Sequence, residues 1–442
     1  MKLNKIKKLL SIILLAMMCF SVTVHAESTY SEYTDREYKH NEKYENSLII
    51  NGVDVSNYQN PESDWKKAKA SGIDFSIIRI TLTHTNTGNL DIDKDFEAHY
   101  TNAGEAGIMR GVYVFSQARN SRDAEAEAEF AIKRLRQLGI EPKDLELPIY
   151  MDYEFYDKSN SILRDLTRKD AIEAANTFCD TIKKYGYKVG VYANTSFFAS
   201  YLDNGKNLDN DVDIWCAQYS SKNYSGSDYS IWQYNSEGKV PDIYAGNSQK
   251  VTGVDVDFWY IDTSLNKNPK IKLFCDTNVE YTGEPVVPNV ELRDGKKTLI
   301  EGEDYIVSGI NNVDKGSEAY AYIQGIGDYS GYALIPINIG QDFLKLDLPT
   351  SIIETDYRVV SNSSGKYINI PDNLTVKEFL ENVKLTSEEY TINVIDREGN
   401  AVPEDKNIIF SDMVGVFSGD SLLGTINITT DSEYKINYLK KK

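Results

Sequence analysis

The sequence has few of the residues that build metal centres and disulfide frameworks. It contains 4 cysteines and 4 histidines in 442 residues, with neither a CxxC pair nor an HExxH motif. Cys179 falls on the apolar stripe of a predicted helix, so we expect it in the core rather than in a reactive position. We therefore predict no disulfide framework, no metal site and no cofactor.

Basic residues are also outnumbered, 48 against 67 acidic ones, which gives a formal net charge of -19. Because an acidic chain repels phosphate backbones, we predict no nucleic-acid partner. Aromatic residues are not scarce, and 31 of them are tyrosines against 15 phenylalanines. This balance is typical of aromatic side chains with one wet edge, as in grooves that bind carbohydrate.

Long hydrophobic runs are absent except at residues 9–24, and that run is shorter than the ~20 residues of a membrane-spanning helix. Four lysines precede the run, and Val24-His25-Ala26 follows it with small residues at the positions that a signal peptidase reads. We predict that residues 1–26 are a cleaved signal peptide. The mature protein is then secreted, extracellular or wall-associated, and without a transmembrane segment.

The order of apolar segments indicates the fold class. Residues 27–48 are polar and aperiodic, and we predict a linker there. From residue 49 to 266, strand patterns alternate with helix patterns, which is typical of parallel βα units and predicts an irregular (β/α) barrel. An open doubly wound sheet is the alternative. The eight predicted strands are 48–56, 75–81, 107–116, 147–154, 188–194, 212–219, 229–234 and 253–260, and the clearest helices are 121–138 and 168–185.

Two smaller β-rich domains are expected after the barrel. Residues 270–340 show short strand patterns separated by turn residues, which predicts a β-sandwich. Residues 345–442 have the same character, with one helix near Thr375–Val383. The glycines around Gly325 lie in this all-β region without a following helix, so we interpret them as hairpin turns rather than a phosphate site.

The most informative short segment is Tyr150-Met151-Asp152-Tyr153-Glu154. Residues i and i+2 of a strand point to the same face, so Asp152 and Glu154 project together. Two close carboxyls cannot both ionise freely, and the pKa of one should rise. Glycoside hydrolysis needs such a group to protonate the leaving oxygen. A DxE motif alone is weak evidence, because it is common on solvated strand edges.

The position of this motif strengthens the interpretation. Active sites of β/α barrels lie at the carboxyl ends of the strands. Asp54 ends the first predicted strand, and Asp255 lies in the eighth. Buried carboxylates are costly unless they serve a purpose. We therefore predict a substrate groove at this end of the barrel, also lined by Tyr113, Tyr192, Gln218 and Gln233.

Other chemistries are less well supported. Residues 91–95 resemble the start of a calcium loop, but Phe96 stands where glycine is needed and Asn102 where glutamate is needed, so we expect a solvated acidic turn. No histidine lies near a serine or cysteine in the pattern of a nucleophilic hydrolase. A peptidase of the cell-wall peptides is therefore not favoured.

Seven motifs in order resemble glycoside hydrolase family 25, the secreted and phage lysozymes. They are GVDVSNYQ (52–59), GVYVFSQA (111–118), IYMDYE (149–154), VGVYAN (189–194), IWCAQY (214–219), IWQY (231–234) and GVDVDFW (253–259). The resemblance covers about residues 49–265. It implies an irregular β/α barrel with an acidic groove that cleaves the β-1,4 bond between N-acetylmuramic acid and N-acetylglucosamine in peptidoglycan.

The resemblance also implies roles for individual residues. Glu154 matches the family's general acid, and Asp152 its neighbour, which would orient the acetamido group that the substrate itself supplies as nucleophile. Asp54 and Asp255 match acidic residues that bind sugar and tune the pKa of Glu154. One position departs from the family, since Asp257 stands where asparagine is common. A carboxylate facing the groove would raise nearby pKa values, but we expect this side chain to face outward.

The later segments have resemblances of their own. Residues 280–339 resemble a bacterial Ig-like repeat of cell-surface proteins, and the final segment more faintly resembles a β-rich module of secreted clostridial-type proteins. These domains either bind other cell-wall polymers or only space the enzyme from the wall. The main alternative to a muramidase is a non-catalytic wall-binding or adhesion protein on a decayed barrel. The four acids at one mouth favour the enzyme.

Overall fold

A computed structural model of the chain describes most residues from Ser28 onward. The described ranges are 28–155, 161–223, 225–243, 253–263, 271–275, 278–315, 319–340, 353–355, 357–362, 365–371, 373–387, 389–396, 399–409, 412–419, 421–430 and 440–441. The predicted signal peptide lies outside them. No helix within these ranges is both long and apolar enough to cross a membrane.

A closed barrel of eight strands dominates the described residues before 263. Each of the eight strands predicted from the sequence is present, and all are strongly buried. A ninth short strand pairs with the edge of the second one. The barrel strands are β3 (Ser47–Val55), β4 (Ile73–Thr83), β6 (Met109–Ser116), β7 (Ile149–Tyr153), β8 (Val189–Asn194), β9 (Asp213–Ala217), β10 (Ile231–Gly238) and β11 (Val254–Asp262), and the extra strand is β5 (Leu90–Ile92).

The last barrel strand breaks the parallel pattern. The first seven barrel strands run parallel to one another, as predicted, but β11 is antiparallel to both β10 and β3. The expectation of parallel units throughout was therefore wrong at the eighth strand. The connection from β10 to β11 contains no predicted helix, and parallel strands are usually joined through a helix. This reversal brings the beginning of β11, with Asp255, to the carboxyl ends of the other strands.

Helices cover the first part of the barrel. Polar residues cap their amino-terminal ends. The side chain of Asn120 accepts a hydrogen bond from the N–H of Asp123 at the start of the third helix, and the side chain of Thr167 accepts one from the N–H of Asp170 at the start of the fourth. Cys179 is buried on the inner face of the fourth helix, as predicted. Among the described barrel residues after β8, up to 263, only one short α-helix occurs, in agreement with the predicted irregular barrel. The helices are α1 (Trp65–Ala70), α2 (Phe96–Glu105), α3 (Ser121–Gln137), α4 (Arg168–Lys183) and α5 (Thr195–Tyr201).

The segment expected to be a linker is instead folded onto the barrel. β1 (Ser28–Ser31) and β2 (Arg36–Lys39) form an antiparallel hairpin. Tyr38, only 2% exposed, packs against Trp232 and Phe258 of the barrel wall. Periodicity did not reveal this hairpin because it buries a few isolated tyrosines rather than an alternating apolar face.

Two further groups of sheets follow the barrel, as the sequence predicts for β-rich regions. The first group has its own core of aliphatic side chains, including Leu273, Ile323 and Ile335. Seven of its strands form a three-stranded and a four-stranded sheet, and the eighth, Tyr329–Ser330, pairs with Lys440–Lys441 near the end of the chain. They are β12 (Ile271–Cys275), β13 (Asn278–Val279), β14 (Val290–Asp294), β15 (Lys297–Thr298), β16 (Tyr305–Ile310), β17 (Ala319–Gly325), β18 (Tyr329–Ser330) and β19 (Tyr332–Ile339).

This β-rich unit closes the amino-terminal end of the barrel. Tyr322 packs edge-on against Trp259, with ring centroids 5.6 Å apart. The buried ion pair of Lys69 and Asp74 reaches across the boundary, because Lys69 also donates to the carbonyl oxygen of Gly309 at 2.9 Å. The end of the barrel opposite the predicted site is therefore sealed.

The second group contains a five-stranded sheet and one helix, α6 (Val376–Glu381). Thr375 and Glu378 form a capping box at the start of this helix, close to the predicted position. A separate core includes Val376, Phe379 and Ile428. The strands are β20 (Ile353–Thr355), β21 (Arg358–Asn362), β22 (Gly365–Ile370), β23 (Val383–Leu385), β24 (Thr391–Ile395), β25 (Met413–Ser418), β26 (Ser421–Thr430) and β27 (Lys440–Lys441).

Candidate active site

Three acidic residues meet where β3 and β11 pair. Asp54 lies directly opposite Asp255 in the register of the two strands. Because side chains alternate along a strand, Asp257 faces the same side as Asp255. Asp257 is completely buried, and its Oδ1 accepts a hydrogen bond of 2.8 Å from Nε1 of Trp215. The expectation that Asp257 faces outward was therefore wrong, because the strand alternation that places Asp152 and Glu154 on one face also places Asp257 on the face of Asp255.

The DxE motif lies at the carboxyl end of β7, as predicted. Asp152 is buried near the end of the strand, and Glu154 is partly buried immediately after it. No hydrogen-bond partner contacts Oδ1 of Asp152 within the described part of the chain. Burial and the negative charges of Glu154 and Asp54 raise the pKa of Asp152 well above its usual range. A buried oxygen without a partner is available to a ligand.

The acidic residues act on one another as a single cluster. Burial, followed by the charge of Asp54, raises the pKa of Glu154 to about 7. Burial also raises the pKa of Asp54 to about 7, although hydrogen bonds from Gln233 and Asp257 partly oppose this rise. Burial and the charges of Asp54 and Glu154 raise the pKa of Asp255 well above its usual range. Close carboxyls in a lumen of low polarity do not all ionise, so at least one keeps a proton near neutral pH.

Gln233 connects this cluster to two tyrosines. Its Nε2 donates to Oδ2 of Asp54 at 2.7 Å. Its Oε1 accepts from the hydroxyl of Tyr192 at 2.8 Å and from that of Tyr219 at 2.9 Å. These two donors fix the orientation of the amide, so its N–H groups point toward Asp54. Tyr192 and Gln233 were predicted site residues, and the structure brings them together.

Tyr219 was missed by the sequence analysis, although its neighbour Gln218 was predicted. The main chain of Gln218 bonds to β10, since its N–H donates to the carbonyl oxygen of Gln233 and its carbonyl accepts from Nε1 of Trp232. The ring of Tyr219 is 56% exposed while its hydroxyl is held in the site. In the sequence, Tyr219 is the tyrosine that ends the IWCAQY segment, one position after Gln218.

Arg79 was also missed, and it is the cation that acts on the cluster. It lowers the pKa of Asp54 and Asp152 through its charge. Its Nε donates to Oδ2 of Asp93 at 2.8 Å, and its guanidinium lies over the ring of Tyr58. A single arginine inside the apolar strand segment FSIIRIT was the signal. Asp93 is buried by this pair, so the prediction of a solvated turn was wrong at that residue.

Tyr113 completes the lumen on β6. It pairs with Arg79 in the strand register and is almost fully buried. Its ring lies edge-on to Trp215, with centroids 6.0 Å apart. Its hydroxyl pKa is raised by burial and, more weakly, by the charges of Asp54 and Asp152. The predicted residue thus lies beside the acidic cluster, at greater depth than the exposed Tyr219.

A further buried acid supports the loop after β6. Glu127, on α3, accepts from the hydroxyls of Thr83 and Ser116 and from the N–H of Gln117 at 2.9 Å. Burial raises its pKa to about 7. Gln117 in turn donates to the main-chain oxygen of Glu154 at 3.3 Å. The sequence offered only a weak signal, a glutamate among alanines on the buried face of α3.

No group of three or more His, Cys, Asp or Glu side chains that could hold a metal ion occurs among the described residues. The imidazoles of His40 and His99 are buried away from the acidic cluster. His40 bonds to the hydroxyls of Tyr260 and Thr29, and burial lowers its pKa to about 4.

The mouth of the barrel thus combines a partly buried acid, a second carboxyl with a free buried oxygen, and a fixed amide. Comparison with known families gives the same result as the motifs, because residues 53–243 match the model of glycosyl hydrolases family 25. The barrel is therefore similar to the family 25 glycosyl hydrolases. Among curated proteins, lysozyme M1 of Streptomyces globisporus is 25% identical over 196 residues, which are 43% of this chain and 63% of the relative. The chain therefore spans less than two thirds of that relative's length.

Solved structures are similar to this barrel as well. A family 25 glycosyl hydrolase from Bacillus anthracis is 26% identical, with a TM-score of 0.38, over 50% of this chain and 92% of the other. The modular autolysin LytC from Streptococcus pneumoniae, solved in complex with a synthetic peptidoglycan ligand, is 25% identical, with a TM-score of 0.41, over 53% of this chain and 52% of the other.

Proposed function

We propose that this protein is a secreted N-acetylmuramidase, which cleaves the β-1,4 bond between N-acetylmuramic acid and N-acetylglucosamine in peptidoglycan. The observation that carries the proposal is the position of Glu154 at the mouth of the barrel, partly buried beside Asp54 and Asp152. An acid of this kind keeps a proton near neutral pH and can give it to a leaving oxygen. The family match supports the reaction class.

In the proposed first step, Glu154 protonates the glycosidic oxygen while the bond from that oxygen to the anomeric carbon breaks. The carbonyl oxygen of the substrate's own acetamido group forms a bond to that carbon. Asp152 orients the acetamido group, because its buried Oδ1 has no other partner in the described part of the chain. An amide N–H bound there favours ionised Asp152 and leaves the proton on Glu154.

In the second step, water attacks the anomeric carbon and the bond to the acetamido oxygen breaks. Glu154, now a carboxylate, takes a proton from the water and returns to its starting state. The products are a fragment with a new reducing sugar and a fragment with a free hydroxyl. Nothing is oxidised or reduced, so the reaction requires no redox cofactor.

Substrate binding is assigned to the remaining groups at the mouth. Asp54 and Asp255 present carboxyl oxygens, and Tyr219 presents an exposed ring of the kind on which a sugar face can pack. The polar groups of Tyr113, Tyr192, Gln218 and Gln233 line or support the same groove. The β-rich domains after the barrel are assigned either to holding the enzyme at the wall through other wall polymers or to spacing it from the wall.

The test is mass spectrometry of fragments that the mature protein releases from purified peptidoglycan, compared with Glu154→Gln. Fragments ending in reducing N-acetylmuramic acid, absent with the variant, are the expected result. Fragments ending in reducing N-acetylglucosamine would contradict the bond specificity. Tight binding without release, on walls of several species, would exclude the enzyme and favour the adhesion protein.

A further inference from the structure

Asp257 is the most deeply buried acid of the cluster, with no exposed surface. Trp215 donates to its Oδ1 at 2.8 Å. Within the described residues, no N–H group and no hydroxyl donates to its Oδ2. One oxygen of this carboxyl is thus bonded by an indole and the other has no donor in the described residues, although a neighbouring acid lies within reach of the carboxyl.

That neighbour is Asp54, whose carboxyl is in hydrogen-bonding contact with the carboxyl of Asp257. An ionised carboxylate only accepts hydrogen bonds, so two of them can bond to each other only when one carries a proton. Asp54 is the better holder of the negative charge. Its carboxylate already accepts a hydrogen bond of 2.7 Å from the amide of Gln233, and the positive charge of Arg79 lowers its pKa.

The surroundings of Asp257 disfavour a charge there. No lysine or arginine of the described chain forms an ion pair with it, and burial followed by the charge of Asp54 raises its pKa well above the usual range. A buried carboxylate without a cation is costly, and the usual outcome is that the group keeps its proton. The titratable groups that face it are Asp54 from β3, Asp255 from its own strand, Tyr150 from β7, Tyr219 after β9 and Tyr234 from β10.

We propose that Asp257 is a neutral carboxylic acid at neutral pH and that its O–H group donates a hydrogen bond to Asp54. Asp257 is then a positioning residue, which holds the carboxylate of Asp54 against the amide of Gln233. The protonation itself does not depend on the proposed function. Its consequence for catalysis does, since a correctly placed Asp54 controls the proton on Glu154.

The direct test is an infrared difference spectrum between the wild-type protein and Asp257→Asn at neutral pH. Loss of a C=O band of a protonated carboxylic acid, sensitive to exchange into deuterium oxide, is the expected result. Loss of carboxylate bands instead would overturn the proposal. Asp91→Asn is the matched control, because it removes an exposed carboxyl outside the acidic cluster. Wild-type protein carrying ¹³C-labelled aspartate carboxyls gives the same answer by NMR titration if the variant does not fold.

Thermal unfolding supplies an independent readout. Asp257 keeps its proton in the folded state, whereas in the unfolded chain it ionises above a pKa of about 4. The contribution of Asp257 to wild-type stability therefore falls as pH rises from about 4 toward neutral, and asparagine does not titrate. The Tm of Asp257→Asn relative to wild type should rise over this interval. A constant or falling difference would contradict the proposal.

Activity then distinguishes positioning from packing. Asparagine keeps an N–H donor toward Asp54, whereas leucine of similar size has none. We expect Asp257→Leu to lose at least tenfold more kcat/KM than Asp257→Asn, with the loss in kcat. Equal losses in the two variants would contradict the positioning role. If no variant and no wild-type protein cleaves peptidoglycan, the proposed function fails, while the spectra and the Tm series still decide the protonation of Asp257.

Discussion

The side-chain amide of Gln117 donates a hydrogen bond to the main-chain oxygen of Glu154, at 3.3 Å. Gln117 also accepts from the hydroxyl of Ser161, so it holds the chain on both sides of the segment that follows Glu154. The buried Glu127 in turn holds the main chain of Gln117. The proposed acid is therefore positioned from α3 through the loop after β6.

Removing this support should impair the chemistry more than substrate binding. We predict that Gln117→Ala lowers kcat by about 10- to 100-fold, because a small displacement of a catalytic group is enough for such a loss. The KM should change little. Gln137→Ala, an exposed residue on α3, is the control. A loss in Gln117→Ala that lies mainly in KM would contradict the positioning role.

The activity should have an alkaline limit near the pKa of Glu154. The acid must be protonated to act, and its pKa is raised to about 7, so kcat/KM should fall about tenfold per pH unit above that value. The negative charge of Asp54 contributes to the raised pKa. Asp54→Asn should therefore move the alkaline limit to lower pH. The measurement is kcat/KM against pH on a soluble glycan fragment, and a shift to higher pH would contradict it.

The two tyrosines on Gln233 should be partly redundant. Tyr192→Phe or Tyr219→Phe leaves one hydroxyl on Oε1 of Gln233, whereas the double variant leaves none. We predict losses of a few fold in each single variant and a loss in the double variant greater than their product, because groups that share one partner are coupled. Steady-state kinetics of the four proteins measure this coupling. If the activation free-energy losses of the two single variants add up to that of the double variant, the amide of Gln233 is held by other contacts.

The buried ion pair below the barrel should be important for stability. Lys69 and Asp74 are almost inaccessible, and their partners in the next domain are the main-chain groups of Gly309 and Asn311. We predict that Lys69→Met lowers the free energy of unfolding by about 3–5 kcal/mol, because it leaves a buried charge without its partner. Chemical denaturation measures the change.

The exposed pair of Lys66 and Glu284 joins the same two parts of the chain and is the matched control. Lys66→Met should leave the denaturation midpoint unchanged within error, because exposed ion pairs contribute little. Equal effects in the two lysine variants would contradict the assignment of the stabilisation to burial.

The amino-terminal hairpin should stabilise the barrel. Tyr38 packs on the wall of the barrel, and we predict that Tyr38→Ala lowers the free energy of unfolding by about 3–4 kcal/mol, as for other large buried aromatic residues. Tyr30 lies in the same hairpin and is 60% exposed. Tyr30→Ala should have no measurable effect, and a similar loss in both variants would indicate that the whole hairpin had been disrupted.

The sequence by itself determined the barrel strands, the two long helices and the end of the barrel where the chemistry lies. Local patterns carry that information, because strand burial and helix capping depend on neighbours in the chain. The position of Asp152 and Glu154 on one face followed from strand alternation alone. The same alternation predicts that Asp257 points inward with Asp255, although its departure from the family pattern suggested an outward side chain.

Only the tertiary structure decided which distant groups meet. The antiparallel course of β11 places Asp255 against Asp54, and nothing in the local sequence of β11 specifies its direction. The cation Arg79 and the hydroxyl of Tyr219 reach the acids through the closure of the barrel. The pKa values of the acids depend on burial and on charges from other strands. These are properties of packing between segments far apart in the chain, and periodicity within one segment does not encode them.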